Sequence, residues 1–213
     1  MQRISSREDL EKAVDHLVGL EPRFRVVVDH HGLPSLRHAE SGLQSLLRIV
    51  TDQLISLKAG EAIWRRVEAR LSPLTSEAVL GCSEDELKAL GLSGAKARAF
   101  HAAAEAFSAP DFAHTRLSGL AEQDVHVMLT GIRGIGPWTA DIYLLSALQS
   151  ANAWPAADLA LQVAAADLLE LETRPSAKEM ARLAEPWHPV RAVAARLLWS
   201  HYRGLKQMPQ ASL

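Results

Sequence analysis

Three glycines fall within one short segment, Gly131-Ile132-Arg133-Gly134-Ile135-Gly136-Pro137. Glycine lets a ligand come close to the backbone, and proline suits the first turn of a helix. The N–H groups at a helix start have no intrahelical acceptor, and the helix dipole is positive there. The segment therefore predicts a tight turn between two helices that could bind an anion such as a DNA phosphate, whatever the base sequence. An ordinary corner between two helices is the alternative.

Two motifs suggest other chemistries. The order G-x-x-G-x-G could indicate a dinucleotide loop, but no strand precedes it and no βαβ unit surrounds it. The segment Val26-Val27-Val28-Asp29-His30-His31 resembles the metal-binding DHH element of some phosphoesterases. Such enzymes need further aspartates on neighbouring strands, and no second strand follows here. We favour a polar loop after a short extended stretch, and a metal-dependent phosphoesterase stays as an alternative.

The composition restricts the class of protein. The 213 residues are 48% hydrophobic and 23% charged, as in globular proteins. No run of eighteen apolar residues occurs, and the charged start lacks the apolar core of a signal peptide, so we expect neither a membrane span nor secretion. The single cysteine, Cys82, argues against disulfides and cysteine metal clusters and favours a cytoplasmic location. A net charge of −2 does not exclude nucleic-acid binding, which needs only a local basic face.

Helical spacing of apolar residues runs through nearly the whole chain. The clearest predicted helix is about 41–56, where leucines and valines recur at i, i+3, i+4 and i+7. Ser83 with Glu86 and Ser176 with Glu179 form capping boxes. Only Arg25–Val28 looks like a strand, and one strand builds no sheet. We therefore predict an all-α fold, with further helices near 94–108, 119–129, 137–148, 158–170, 176–184 and 189–202.

The residues after the glycine-rich turn narrow the function. The stretch Leu129–Asp141 is followed by Trp154-Pro155-Ala156-Ala157-Asp158. This arrangement resembles the helix–hairpin–helix, Gly/Pro-rich loop and aspartate signature of the base-excision DNA glycosylase superfamily, and within it the bacterial DNA-3-methyladenine glycosylase II family. The resemblance spans about residues 40–203. Three further segments resemble family motifs: Gln53-Leu54-Ile55-Ser56, Leu87-Lys88-Ala89-Leu90-Gly91, and Pro186-Trp187-His188-Pro189-Val190-Arg191 with Trp199.

The resemblance implies roles for an aspartate and two tryptophans. Asp158 would stabilise the positive charge that develops on the sugar and orient water, although a plain helix N-cap is the alternative. Trp138 stands where bifunctional members keep a lysine, which implies a monofunctional enzyme that uses water. Trp138 and Trp199 match the aromatics that stack on a flipped alkylated base; core packing is the alternative for both. Ile142 replaces a third pocket aromatic, which leaves the substrate range open.

The resemblance also implies how DNA is held. Leu54 matches a leucine that wedges into the base stack, unless it belongs to the apolar stripe of its helix, and Gln53 would touch the opposite strand. Lys88, Lys96 and Arg98 are candidates for backbone contacts. No cofactor is expected, although the carbonyls of Thr130, Ile132 and Ile135 match positions that bind Na⁺ or K⁺. The hairpin contacts to DNA are expected from Arg133, Gly134, Ile135, Gly136 and Pro137.

We therefore predict two helical lobes with an active cleft between them. One lobe is 41–149, with the helix–hairpin–helix at about 121–148; the other joins 1–40 to 150–213. The predicted function is a monomeric, cytoplasmic, nucleoid-associated glycosylase that removes alkylated purines from damaged double-stranded DNA. The alternatives are a glycosylase for deaminated or oxidised bases and a non-catalytic DNA-binding damage sensor.

Overall fold

The structure is a computed structural model that describes residues 1–36 and 42–207. In these ranges it contains thirteen α-helices, two 3-10 helices and one isolated antiparallel bridge between Arg3 and Ser150. The all-α prediction is confirmed. None of the helices in the described ranges has the length and apolarity needed to cross a bilayer.

The chain divides into two compact units. The hairpin unit comprises Met1 and His38–Leu148, and the aspartate unit comprises Gln2–Arg37 and Gln149–Leu213. The aspartate unit begins with α1 (Arg7–Leu20) and α2 (Phe24–His31). The hairpin unit contains α3 (Leu43–Asp52), α4 (Leu57–Arg70), α5 (Ser76–Leu80), α6 (Glu84–Ala89), α7 (Gly94–Phe107), α8 (His114–Gly119), α9 (Glu122–Thr130) and α10 (Pro137–Ser146). The aspartate unit ends with α11 (Leu159–Leu168), α12 (Ala177–Leu183) and α13 (Arg191–Gln207).

The helix starts follow from local capping chemistry. In α6 and α12 the hydroxyls of Ser83 and Ser176 accept hydrogen bonds from the backbone N–H groups of the third helical residues. The carboxylates of those third residues, Glu86 and Glu179, accept in turn from the backbone N–H groups of the two serines. Both predicted capping boxes are confirmed. Pro137 occupies the first turn of α10, as predicted. The last helix begins at Arg191, two residues later than the predicted start at 189.

The alanine-rich helix α7 forms the centre of the hairpin unit. It packs against α3, α5 and α6. Ala97, Ala99, Ala103 and Ala104 are buried along α7 together with Phe100. Small side chains let helices approach closely, so α7 can bring its neighbours near one another. In the aspartate unit α13 has the corresponding place and packs against α1, α2 and α11.

The predicted strand at Arg25–Val28 is wrong, because these residues belong to α2. Phe24 and Val27 are fully buried, α2 packs against α13, and Phe24 meets the Trp187 ring edge-on at 5.2 Å. The β-branched valines disfavour a helix only slightly, and burial of one helical face outweighs that preference. The predicted helix 41–56 is also shorter than expected, since α3 ends at Asp52; residue 41 lies outside the described ranges.

Candidate functional site

The turn between α9 and α10, residues 131–136, is tightly constructed. Ile132 and Ile135 bury their side chains, and the Ile135 amide donates to the Ile132 carbonyl at 3.0 Å. Between them Gly134 has a φ of +87°. A positive φ at the third position of such a turn favours glycine strongly. The two isoleucines therefore anchor the turn, while Arg133 and Pro137 stay exposed.

The glycines of this turn have different surroundings. A Cβ on Gly134 would lie 2.7 Å from the Cβ of Ala99 on α7. Gly134 is thus required by both its backbone conformation and its packing, and an alanine there would disturb the fold. A Cβ on Gly136 would meet nothing within 4 Å, and its φ is −91°. Gly136 is the glycine whose small size the fold itself does not require, and it lies at the N-cap of α10.

The three cations predicted to hold the DNA backbone are engaged within the hairpin unit. Lys88 pairs with Asp85 at 2.6 Å, and Arg98 pairs with Glu84 at 3.6 Å. The Lys96 ammonium donates to the carbonyls of Thr51 and Gln53, at 2.8 Å each.

The residues that follow α3, 53–55, form what we term the wedge turn. Leu54 has a φ of +56° and is fully exposed, with a relative accessibility of 105%. It lies outside α3, so its alternative role in the apolar stripe of that helix is wrong. Gln53 donates from Nε2 to Thr139 Oγ1 at 2.7 Å, which joins the wedge turn to α10. Gln53 thus has a partner within its own unit.

Two faces of α10 differ in burial. Trp138 and Ile142 are four residues apart, so they are neighbours on one face, and both are half-buried. Thr139 and Tyr143 are buried. The Tyr143 hydroxyl accepts the Gly42 amide at 3.1 Å, and burial raises the pKa of Tyr143 to about 12. Tyr143 is therefore a core residue, and Trp138 with Ile142 remain the half-exposed pair.

In the aspartate unit the structure brings Asp158 and Trp199 together. Asp158 is the N-cap of α11, and its Oδ1 accepts the Leu161 amide at 3.0 Å. The same oxygen accepts the indole N–H of Trp199 from α13 at 3.2 Å. Both side chains are half-buried. The N-cap alternative for Asp158 is thus correct, and the carboxylate also has an indole partner that capping does not require.

The loop before Asp158 is anchored from both ends. Trp154 is buried, donates its indole N–H to the Met180 carbonyl at 3.1 Å and packs edge-on against Trp187. Gln162 donates from Nε2 to the Ala156 carbonyl at 3.1 Å. These contacts restrain the backbone that leads into Asp158, so the carboxylate starts from a defined position.

The sequence as a whole matches one family of repair proteins. The model of the HhH-GPD superfamily of base excision DNA repair proteins matches residues 47–189. The chain belongs to this superfamily. The HhH-GPD match includes the wedge turn, the hairpin turn and Asp158, and it confirms the resemblance inferred from the motifs.

Individual relatives extend the likeness over most of the chain. The alkylbase DNA glycosidase-like protein mag2 of Schizosaccharomyces pombe is 24% identical over 92% of this chain and 95% of its own length. The structure of the S. pombe 3-methyladenine DNA glycosylase Mag1 with abasic DNA superposes with a TM-score of 0.82 at 26% identity, over 88% of this chain and 95% of that one. The DNA-3-methyladenine glycosidase of Bacillus halodurans gives 0.79 at 26% identity, covering 97% and 95%.

Sequence reasoning missed one pair in the helix–hairpin–helix of this HhH-GPD protein. Asp141 on α10 lies 3.6 Å from Nε2 of His126 on α9. Burial raises the pKa of Asp141 to about 7, and the charge of Glu122 adds to the shift. Asp141 is the last residue of the segment Leu129–Asp141, but the spacing of residues in that segment did not indicate that its carboxyl would be buried.

The segment Asp29-His30-His31 lies in the last turn of α2 and in no loop. Among the described residues, no three His, Cys, Asp or Glu side chains are grouped to hold a metal. The phosphoesterase alternative also loses the strand on which it depended.

Proposed function

We propose that this protein removes alkylated purines from double-stranded DNA by hydrolysing the N-glycosidic bond. The observation that carries the proposal is the carboxylate of Asp158, held at a helix start by the Leu161 amide and the Trp199 indole. The relatives named as 3-methyladenine DNA glycosylases support the substrate class, and the Mag1 complex supports DNA as the partner.

The proposed chemistry uses Asp158 as an electrostatic stabiliser. As the purine leaves, positive charge develops at C1′ of the sugar, and a nearby carboxylate lowers the energy of that state and can orient the attacking water. Two donors on Oδ1 restrict rotation of the carboxylate before substrate arrives. Such preorganisation avoids a reorientation cost during the reaction. The product is a free base and an abasic site.

Trp199 and Trp138 are proposed to recognise the base. An alkylated purine is electron-poor, and stacking on an electron-rich ring contributes about 1–2 kcal/mol when desolvated. The indole N–H of Trp199 points to Asp158, which places an aromatic ring beside the proposed catalytic group. Trp138 and Ile142 supply a half-exposed face on α10.

DNA binding is proposed to use the hairpin turn and the wedge turn. The first amides of α10, the exposed Arg133 and the open space at Gly136 suit a phosphate. Leu54, exposed and outside any helix, suits the gap left by a flipped base. The proposal makes Gln53 a support for this turn, since its side chain bonds to Thr139.

A monovalent cation at the hairpin is part of the same proposal. The carbonyls of Thr130, Ile132 and Ile135 are neutral oxygen donors in one short turn, a set that suits Na⁺ or K⁺. The Ile132 oxygen accepts the Ile135 amide and keeps a second lone pair. A bound cation would offset phosphate charge; no other cofactor is proposed. We propose a monomer acting in the cytoplasm at the nucleoid.

The test is base release from duplex oligonucleotides that carry 3-methyladenine, 7-methylguanine, hypoxanthine or 1,N6-ethenoadenine. Wild type should release the alkylated bases, and Asp158→Asn should lose at least about 100-fold in rate while it keeps DNA affinity. Asp15→Asn, an exposed aspartate on α1, is the matched control. Release of hypoxanthine alone would indicate a glycosylase for deaminated bases. Binding to lesions without any release would indicate a damage sensor.

A further inference from the structure

We infer that Lys96 is a positioning residue that holds the wedge turn, and with it Leu54, in the conformation needed to enter the DNA base stack. The inference rests on the proposed function. Lys96 lies in the first turn of α7, and its Nζ donates to the carbonyls of Thr51 and Gln53, at 2.8 Å each. These carbonyls belong to the C-terminal end of α3, where a positive charge is stabilised by the helix dipole.

The hydrogen bonds of the Lys96 ammonium differ from those of a lysine that binds DNA phosphate. An ammonium has three donors and no acceptor, and two of its donors here are used by carbonyls of its own chain. Partial burial lowers the pKa of Lys96. The lysine is built into the turn, whereas Lys88 and Arg98 form ion pairs at the surface of the same region.

Leu54 needs such a support. Its φ of +56° lies in the left-handed region, which residues with a Cβ rarely adopt. Its side chain is fully exposed and gains nothing from burial. A backbone in that state persists only when its surroundings impose it.

Two anchors flank the strained residue. Lys96 binds the carbonyl of Gln53, which belongs to the peptide bond that leads into Leu54. The side chain of Gln53 is bound to Thr139, which is buried on α10. The peptide before Leu54 is thus held from α7 and from α10.

A fixed wedge contributes only where bases are stacked and paired. Loss of Lys96 should therefore reduce action on duplex DNA and spare action on single-stranded DNA, because the lesion there needs no extrusion. The groups proposed for bond cleavage, Asp158 and Trp199, belong to the aspartate unit and bond to each other there.

The experiment compares kcat/KM on duplex and single-stranded oligonucleotides that carry the alkylated purine that wild type releases fastest. Lys96→Met should lower the duplex value 10- to 100-fold and the single-stranded value less than threefold. Leu54→Ala should show the same pattern. The double variant should have a duplex kcat/KM no lower than that of the less active single variant, because both substitutions act through the same wedge. Lys12→Met, an exposed lysine on α1, is the matched control and should match wild type on both substrates.

The inference would be overturned if Lys96→Met lowered kcat/KM equally on both substrates, or if its ratio of duplex to single-stranded kcat/KM equalled that of wild type. If Lys96→Met does not fold, Lys96→Gln takes its place, and the same ratio decides. A second readout is independent of catalysis: at saturating protein, the fluorescence of 2-aminopurine placed in the duplex should rise with wild type and rise far less with the Lys96 variant. If wild type releases no base at all, the proposed function fails, and the fluorescence comparison still decides the role of Lys96.

Discussion

Trp199 donates its indole N–H to Oδ1 of Asp158 across 3.2 Å. The two residues come from α13 and from the start of α11, which pack against each other. An indole N–H is a donor only, so this contact can hold the carboxylate in its acceptor role but cannot take a proton from it. The relationship makes Trp199 more than an aromatic surface.

Trp199→Phe tests this hydrogen bond, because it keeps an aromatic ring and removes the N–H. A hydrogen bond to a charged group contributes about 1.5–3 kcal/mol, so we expect kcat to fall roughly 10- to 100-fold with little change in stability. Single-turnover base release and thermal unfolding measure the two effects. Trp64→Phe is the control: it shrinks a buried tryptophan of α4 that has no proposed role in the site, so it should lower Tm and leave the rate per folded molecule unchanged. A wild-type rate in Trp199→Phe would remove the hydrogen bond from the mechanism.

Gly136→Ala tests the hairpin turn as a DNA contact. Its methyl would face open space, so the variant should fold like wild type yet obstruct a phosphate, and weaken binding to damaged and undamaged DNA alike. Fluorescence anisotropy with both DNAs measures the loss, which we expect to be severalfold. Gly134→Ala is the contrast, since its positive φ and the contact with Ala99 should destabilise the fold by about 2 kcal/mol or more. Wild-type affinity in Gly136→Ala would make the turn a structural corner only.

Trp138 at the position of the lyase lysine predicts hydrolysis without a covalent intermediate. Borohydride added during turnover should trap no protein–DNA adduct, because no Schiff base forms. Strand breaks should appear only after alkali or heat opens the abasic site. Electrophoresis under denaturing conditions distinguishes the species, and a bifunctional glycosylase is the positive control. Efficient trapping would show that another amine attacks C1′.

Asp141 should make the stability of the protein depend on pH. Its pKa is about 7 in the folded state against an ordinary value of 3.8, and at 3.6 Å His126 is beyond hydrogen-bonding distance, so burial dominates. The fold therefore favours the protonated carboxyl. Between about pH 4 and 7 the unfolded chain loses this proton while the folded protein keeps it, so this contribution, up to about 4 kcal/mol, is lost as the pH rises.

Asp141→Asn tests this assignment, because the amide imitates the neutral acid. Urea unfolding at pH 4.5 and pH 7.5 should show that the variant gains stability over wild type at the higher pH and little at the lower one. Other carboxylates with lowered pKa values also make the free energy of unfolding depend on pH. Their contribution is the same in variant and wild type, so it cancels when the two proteins are compared at each pH. A difference that stays constant with pH would mean that Asp141 is ionised in the folded protein.

The sequence by itself determined most of the helical segments and where several of them begin. Helical spacing and the capping boxes at Ser83 and Ser176 involve residues three or four apart, so local sterics and hydrogen bonds decide them. The same holds for the proline that opens α10. These patterns, with the ordered motifs from Gln53 to Trp199, were enough to indicate the HhH-GPD superfamily.

Contacts between distant residues decided the rest. Burial against α13 made a helix of Phe24–His31 in spite of its valines, and Lys96, more than forty residues away, holds the end of α3 that leaves Leu54 exposed. Gly134 is constrained by Ala99, and Asp158 is oriented by Trp199, again from remote segments. No spacing rule covers such pairs, because their proximity is a product of packing between helices, and a local pattern contains no information about which remote side chain the packing will supply.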